Sequence, residues 1–421
     1  MYNVLDIVFW GVLTFSILVV LHEGGHFLAA RAFGVKVHEF MVGLPGPRIA
    51  IKTKSTTYGI TAIPLGGYVR IAGMEPGAED ELLAPALKAV TLAGRMDAHL
   101  LARELGVDEE RADSLLITLA DWGAIAPADN DKYSYTPLMS AEESDDATDL
   151  LARARAWTYR GLSTWKRIAV LVMGIFVNLV TAILVFTVVL AMWGYYQQSL
   201  TLDDVQAGSG AALAGLQAGD TILALDDEPV NDWMTLTQTI ASHDPGESIV
   251  VGVERDGGRL DLEATLGEND DGFAYLGVIA SVEKVDVSWP AAFVESLTWT
   301  GMVFATIFGM FFDADLFQQT LHGSRSVVGV SVEVARAAAA GPIDYAWWIA
   351  LLSLSLGVMN LLPIPPLDGG KILMELIERI IGKPIEKRVS LGISLAGALL
   401  LFSFIGYVMY ADVMRYFVNG G

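Results

Sequence analysis

No cysteine occurs in the 421 residues. Disulfides and thiolate metal sites are therefore excluded, although an exported domain can still fold without bridges. Charge is scarce, at 18% of residues, and lopsided: 27 Lys and Arg face 49 Asp and Glu, a net charge of −22. A chain this acidic lacks the basic surface that nucleic acid needs, and no nucleic-acid partner is expected. Histidine is rare too, with 6 in all, so a close pair of them carries weight. Apolar residues are abundant at 53%, more than a soluble protein of this length usually holds, and this directs the search to membrane spans.

Four stretches are long and apolar enough to cross a hydrocarbon layer of about 30 Å: 4–30, 168–193, 345–362 and 391–410. The first continues into a polar motif, so it reads as a retained span and not as a cleaved signal peptide. Basic residues set the orientation. Arg31, Lys36, Arg48, Lys52, Lys54 and Arg70 follow the first span, and Arg153, Arg155, Arg160, Lys166 and Arg167 precede the second. Lys371, Arg379, Lys383, Lys387 and Arg388 lie between the third and fourth. With these three clusters inside, the acid-rich region 197–289 lies outside, as do both termini. A fifth apolar stretch, 291–312, would reverse the third cluster if it crossed. It is therefore expected to lie in, or dip into, the outer interface.

The first span carries His22-Glu23-Gly24-Gly25-His26. Residues four apart share a helix face, so two neutral imidazoles can hold one zinc ion. The glutamate between them can serve as general base toward water. Three ionisable residues on one turn of a spanning helix are costly, and they point to function. Gly24 and Gly25 would let another backbone approach closely. A catalytic zinc needs a third protein ligand, and the remaining histidines (His38, His99, His243 and His322) fall outside the spans. Asp368 is the alternative, in Asn360-Leu361-Leu362-Pro363-Ile364-Pro365-Pro366-Leu367-Asp368-Gly369-Gly370. Three prolines unwind the chain there, and unwound backbone at membrane depth is tolerated only where it lines a cavity or is buried in protein. Spacing alone leaves a solvated aspartate at a helix exit equally open. A metal-ion transporter and an inactive membrane scaffold are the rival functions. A transporter has no need of the intervening glutamate, and no inverted repeat is visible.

In combination, His22-Glu23-x-Gly25-His26 and Asn360…Pro363…Leu367-Asp368-Gly369 resemble the site-2 protease family of intramembrane metalloproteases. Its bacterial members with an extracytoplasmic PDZ domain, which cut anti-sigma proteins and remnant signal peptides, are the most similar. The resemblance implies that His22, His26 and Asp368 ligate Zn2+, that Glu23 is the base and that Asn360 positions substrate. Ile63-Pro64-Leu65-Gly66-Gly67-Tyr68-Val69-Arg70 resembles the family's membrane-entering β-hairpin, and Gly66 and Gly67 are carried as substrate-binding residues. Gly174 to Asn178 resembles the family's Gly-x-x-x-Asn stretch, with Ile175 where a proline usually follows the glycine. Asn178 is carried as a substrate-binding residue that hydrogen-bonds near the site, with an interhelical polar contact as its alternative role. The substrates implied are single-span membrane proteins in the inner (cytoplasmic) membrane.

Residues 202–267 read as an α/β module with a helix over 233–241. Two alternating strands, 249–254 and 259–265, flank Asp256-Gly257, a hairpin signal. The order resembles a bacterial PDZ domain, with Tyr275-Leu276-Gly277-Val278 as its carboxylate-binding loop. Residues 77–160 have no counterpart in the family. Helices over 97–104 and 108–122 and a small β-wing near Tyr133-Ser134-Tyr135-Thr136 suggest a winged-helix-like insertion, and 141–149 an acidic linker. A cytoplasmic protein partner is expected there, since its acid excess argues against DNA. The expected fold is thus a polytopic α-helical membrane protein. It has four transmembrane helices, a PDZ-like α/β domain outside and a small winged-helix-like cytoplasmic insertion.

Overall fold

The computed structural model describes residues 3–53, 55–74, 79–129, 131–140, 145–269, 272–310, 312–313 and 326–413. Lys54 and His322 lie outside the described residues.

Helix α1 (Val4–Ala32) starts where the Asn3 side chain accepts the Leu5 amide proton, and Arg31 occupies its last turn, where a cation suits the helix dipole. It is followed by β1 (Val37–Val42), β2 (Arg48–Lys52), β3 (Thr57–Thr61) and β4 (Gly67–Ile71). These form one sheet in the order β2-β3-β1-β4. β1 runs parallel to β3 and antiparallel to β4, and β2 is antiparallel to β3. The expected hairpin over 63–70 is therefore corrected. β3 and β4 do not pair, because β1 lies between them, and residues 63–66 form a loop. Gly66, at φ +77°, permits the turn.

The insertion comprises α2 (Leu83–Ala93), β5 (Met96–Asp97), α3 (Ala98–Leu105), α4 (Glu109–Asp121), β6 (Ile125–Ala128), β7 (Asp131–Pro137) and α5 (Ala147–Arg155). Its three strands are ordered β5-β7-β6. Asp97 and Asp108 cap α3 and α4, each accepting an amide proton three residues on at 2.8 Å. Leu87, Leu101, Leu116, Leu119 and Leu150 bury fully into its own core. The linker expected over 141–149 is corrected in its last part: Asp146 caps α5, and Leu150 and Ala154 anchor that helix in the core. Asp121 ties the insertion to the first sheet. Its carboxylate accepts the Gly73 amide at 2.8 Å and Arg70 at 3.2 Å, and its backbone carbonyl bonds His38.

Helix α6 (Thr164–Trp193) leads into a second compact unit, Val188–Ala292. Here β8 (Tyr195–Val205), α7 (Gly210–Ala214), β9 (Thr221–Leu225), β10 (Glu228–Pro229), α8 (Trp233–Ala241), β11 (Ser248–Arg255) and β12 (Gly258–Thr265) are followed by short β13 (Gly267–Glu268) and β14 (Ala274–Tyr275) and by β15 (Val278–Val285). The main sheet runs β12-β11-β9-β8-β15, so β15 is an edge strand, and 275–278 leads into it. Asp256, at φ 52°, and Gly257 make the hairpin turn that the sequence signals. Asp220 is held by Arg255 through two bonds of 2.7 Å and by the Gln217 amide at 2.8 Å. The Arg255 guanidinium holds the Asp220 carboxyl below its ordinary value.

The chain then forms α9 (Trp289–Gly309), α10 (Val327–Ala340), α11 (Pro342–Asn360), α12 (Asp368–Ile381) and α13 (Lys387–Val413). Five described helices, α1, α6, α9, α11 and α13, are long and apolar enough to cross a membrane. Helix α11 runs alongside α1: the Thr14 and Tyr345 hydroxyls are 2.9 Å apart, and Trp10 and Tyr345 meet edge to face. The Ser353 hydroxyl donates to the Asn178 carbonyl at 2.9 Å and joins α11 to α6. Helix α9 packs along α6 through Trp299 on Phe186 and through the Ser296 and Thr187 hydroxyls, 3.0 Å apart.

Candidate metal centre

The helical period puts His22 and His26 on one face of α1, and both are buried. The cis Pro365-Pro366 segment turns the chain back after α11, so that Asp368 opens α12 beside them. Gly369 and Gly370 make that turn possible, because a Cβ on either would collide with the backbone of 361–365. His22 Nε2 lies 2.9 Å and His26 Nε2 3.0 Å from Asp368 Oδ2, and the two imidazole nitrogens are 3.2 Å apart. Three donors from positions 346 residues apart in sequence thus form a nearly equilateral triangle.

This triangle fits a zinc ion. Ligands at about 2.0–2.1 Å in tetrahedral array are separated by roughly 3.3 Å, close to the distances found. The outer nitrogens fit as well. His26 Nδ1 donates to the Val170 carbonyl at 2.8 Å, which leaves the Nε2 lone pair facing the other two donors. Asn178 is fully buried, with its amide nitrogen 3.5 Å from His22 Nδ1 and its Oδ1 unpaired among the described residues. A half-turn of that amide brings Oδ1 to the His22 Nδ1–H and satisfies both groups. Gly174 completes the pocket wall, since a Cβ there would fall 2.5 Å from His26 Nε2 and 3.0 Å from His22 Cε1. Helix α6 runs on through Ile175 without a break.

Glu23 sits between the two histidines, with ligand atoms of all three within 4.8 Å of one another. Its Oε2 accepts the Val69 amide proton at 3.1 Å, from the β4 edge that faces away from β1. Gly66 and Gly67 bring this loop against Val19 and Val20, one turn before the histidines. Asn360 ends α11, and its amide donates back to the Leu356 carbonyl at 2.9 Å. Of the glycine pair, Gly25 packs on the Met173 carbonyl, whereas Gly24 faces open space within 4 Å and mediates no helix contact.

Two contacts are not expected from the sequence, although the segments it marks include both Lys371 and Val69. Lys371 Nζ donates to Asp368 Oδ1 at 3.0 Å, which leaves Oδ2 for the histidines. The i, i+3 spacing on an amphipathic helix signals that pair. The Val69 amide leaves no sequence signal at all. A polar cluster anchors α12 as it leaves the site: Arg167 meets Glu375 at 3.0 Å, and Tyr159 meets it at 3.3 Å. Burial pushes the Glu375 carboxyl above its ordinary value, although Arg167 and Arg160 pull it down.

Comparison with known proteins points to zinc metalloproteases. The chain is 29% identical to the zinc metalloprotease RasP of Oceanobacillus iheyensis, over 97% of this chain and 98% of that one. It is 27% identical to the zinc metalloprotease RasP of Geobacillus kaustophilus, over 97% of each. Among solved structures, the PDZ domain of the SdrC-like protein Lmo2051 from Listeria monocytogenes matches 20% of this chain and 87% of its own, at 18% identity and a TM-score of 0.19. The model of peptidase family M50 matches residues 10–404, nearly the whole chain. The chain therefore belongs to peptidase family M50.

Proposed function

We propose that this protein is an intramembrane zinc metalloendopeptidase in which His22, His26 and Asp368 hold the zinc and Glu23 is the general base. The observation that carries this reading is the convergence of the three donors at 2.9–3.2 Å beside a buried glutamate. Zinc, when bound, supplies Lewis acidity toward the attacking water and the scissile carbonyl. The Glu23 carboxylate takes a proton from that water and delivers it to the leaving amine nitrogen. The Val69 amide orients that carboxylate. We take Gly66 and Gly67, against Val19 and Val20 of α1, as the place where an unwound substrate segment lies next to the base. Helical peptide bonds are shielded, so a single-span substrate has to unwind there.

Four crossings, with both termini outside the inner membrane, are the topology we infer. Helices α1 and α11 run the same way, from the level of Thr14 and Tyr345 to the metal centre. A full crossing by α9 would need a return before α11. The described helix between them, α10, has 14 residues, about 21 Å and short of a span. Helix α9 is taken to dip into the outer side of the membrane along α6. The outer module is PDZ-like, with the edge strand β15 as its peptide-binding site. The insertion, ordered helix, strand, two helices and two strands, is a winged-helix module for a cytoplasmic protein partner. Asn178 orients His22, and Asn360, at the end of α11, positions substrate.

The test compares the native protein with Glu23→Gln for bound zinc and for cleavage of a single-span membrane reporter. Zinc retained with cleavage lost supports the reading. Cleavage that survives the change defeats the assignment of the base, and zinc flux across vesicles without cleavage favours a transporter.

A further inference from the structure

A cavity of about 800 Å³ opens where the end of α1, the first sheet and the insertion meet. It is distinct from the metal centre and shares no residue with it. Arg31, Lys36 and Arg153 line it, and among the described residues no carboxylate does. Arg31 donates only to the Ser55 hydroxyl, at 2.9 Å, and among the described residues neither Arg31 nor Lys36 has a carboxylate within 4.0 Å. Arg153 meets Asp145 at 3.4 Å. Arg31 and Lys36 meet no described carboxylate and repel one another, so an anion between them is favoured, while Arg153 is already partnered by Asp145.

The level of the cavity narrows the ligand. Arg31 lies in the last turn of a helix of spanning length, at the height where headgroups begin. Trp157, on the cavity rim, is 61% exposed, and Trp165 nearby in sequence is 66% exposed. Such exposed indoles are the mark of the aromatic belt at a membrane surface. Trp122 supplies an apolar wall, and the Ser55 hydroxyl offers a further polar group.

We propose that this cavity binds an anionic phosphoester, with the headgroup of an acidic phospholipid as its source. Arg31 and Lys36 supply charge-assisted hydrogen bonds to the phosphate, and Arg153 adds long-range charge. The cavity adjoins the Asp121 contacts to Arg70 and Gly73, so its occupant braces the strand that holds Glu23.

The test is thermal unfolding of the full chain in detergent, titrated with dihexanoyl phosphatidylglycerol, dihexanoyl phosphatidylcholine or inorganic phosphate at matched ionic strength. The glycerol lipid is expected to raise Tm saturably, and the choline lipid is not. Arg31→Gln with Lys36→Gln is expected to weaken the response roughly tenfold or more, and Arg31→Lys with Lys36→Arg to retain it. The charge-keeping pair controls for damage to the fold. An equal, variant-sensitive response to inorganic phosphate supports the phosphoester chemistry and identifies a soluble source. An equal response to the choline lipid, or a response unchanged in the Gln pair, overturns the proposal.

Discussion

Alanine at Gly174 should cost this protein its metal. The new Cβ would stand 2.5 Å from His26 Nε2, 2.6 Å from His26 Cε1 and 3.0 Å from His22 Cε1. An ordinary contact begins near 3.4 Å, so one imidazole has to give by about 0.9 Å. Neither can do so freely. His26 is pinned from behind by the Val170 carbonyl at 2.8 Å, and both rings are buried. Zinc sites tolerate only a few tenths of an ångström in ligand position. Zinc affinity should therefore fall roughly 10–100-fold, the loss common when even an outer partner of a ligand is removed. Overpacking should also lower stability by about 1–3 kcal/mol. Competition against a chromophoric chelator measures the first and thermal unfolding the second. Gly24→Ala is the internal control: its Cβ meets nothing within 4 Å, and alanine favours the helix by about 1 kcal/mol. Native zinc affinity in Gly174→Ala, or equal damage from both substitutions, would refute the reasoning.

Lys371→Met removes the donor to Asp368 Oδ1 and frees the carboxylate to rotate; zinc affinity should drop about tenfold, read by the same chelator competition, while thermal stability changes little. Asp121→Ala leaves the Gly73 amide unpaired and loosens the insertion from β4, so stability should fall by about 1–3 kcal/mol in thermal unfolding, with hydrogen exchange rising at Arg70 and Gly73. In the outer module, the Arg255 guanidinium depresses Asp220, so this ion pair contributes stability above the unfolded carboxyl's titration range and loses it as pH falls through the lower folded value. Exchange at β9 and β11 amides of the full chain should accelerate in acid, and Asp220→Asn should remove that part of the acid sensitivity.

The legible parts of this protein are those where a residue type and a period coincide. His22 and His26 declare themselves by a spacing of four, and the β11–β12 hairpin by alternation around Asp256-Gly257. Asp368 was legible only in the company of Asn360, the prolines and the glycines around it. Backbone chemistry was not legible. Val69 stands in the segment 63–70, but the bond of its amide to Glu23 is written in no side chain, and the parallel pairing of β1 with β3 is set by long-range contact, with the flanking β2 exposed throughout. Gly24 and Gly25 look alike in sequence and differ only in the face they occupy. Residues 147–149 read as linker because they follow an acidic run, yet the Asp146 cap and the buried Leu150 make them helix. Asn360 carries a motif's weight in sequence, but in the fold its amide satisfies a carbonyl of its own helix.

The central claim is that side chains from α1 and α12 share one ion. X-ray absorption of the zinc-loaded full chain, with the zinc stoichiometry of His22→Ala, His26→Ala and Asp368→Ala, tests it most directly. The account predicts one zinc per chain with two imidazole and at least one oxygen ligand, and loss of tight zinc in each variant. Full zinc occupancy with an unchanged absorption spectrum in Asp368→Ala would contradict it.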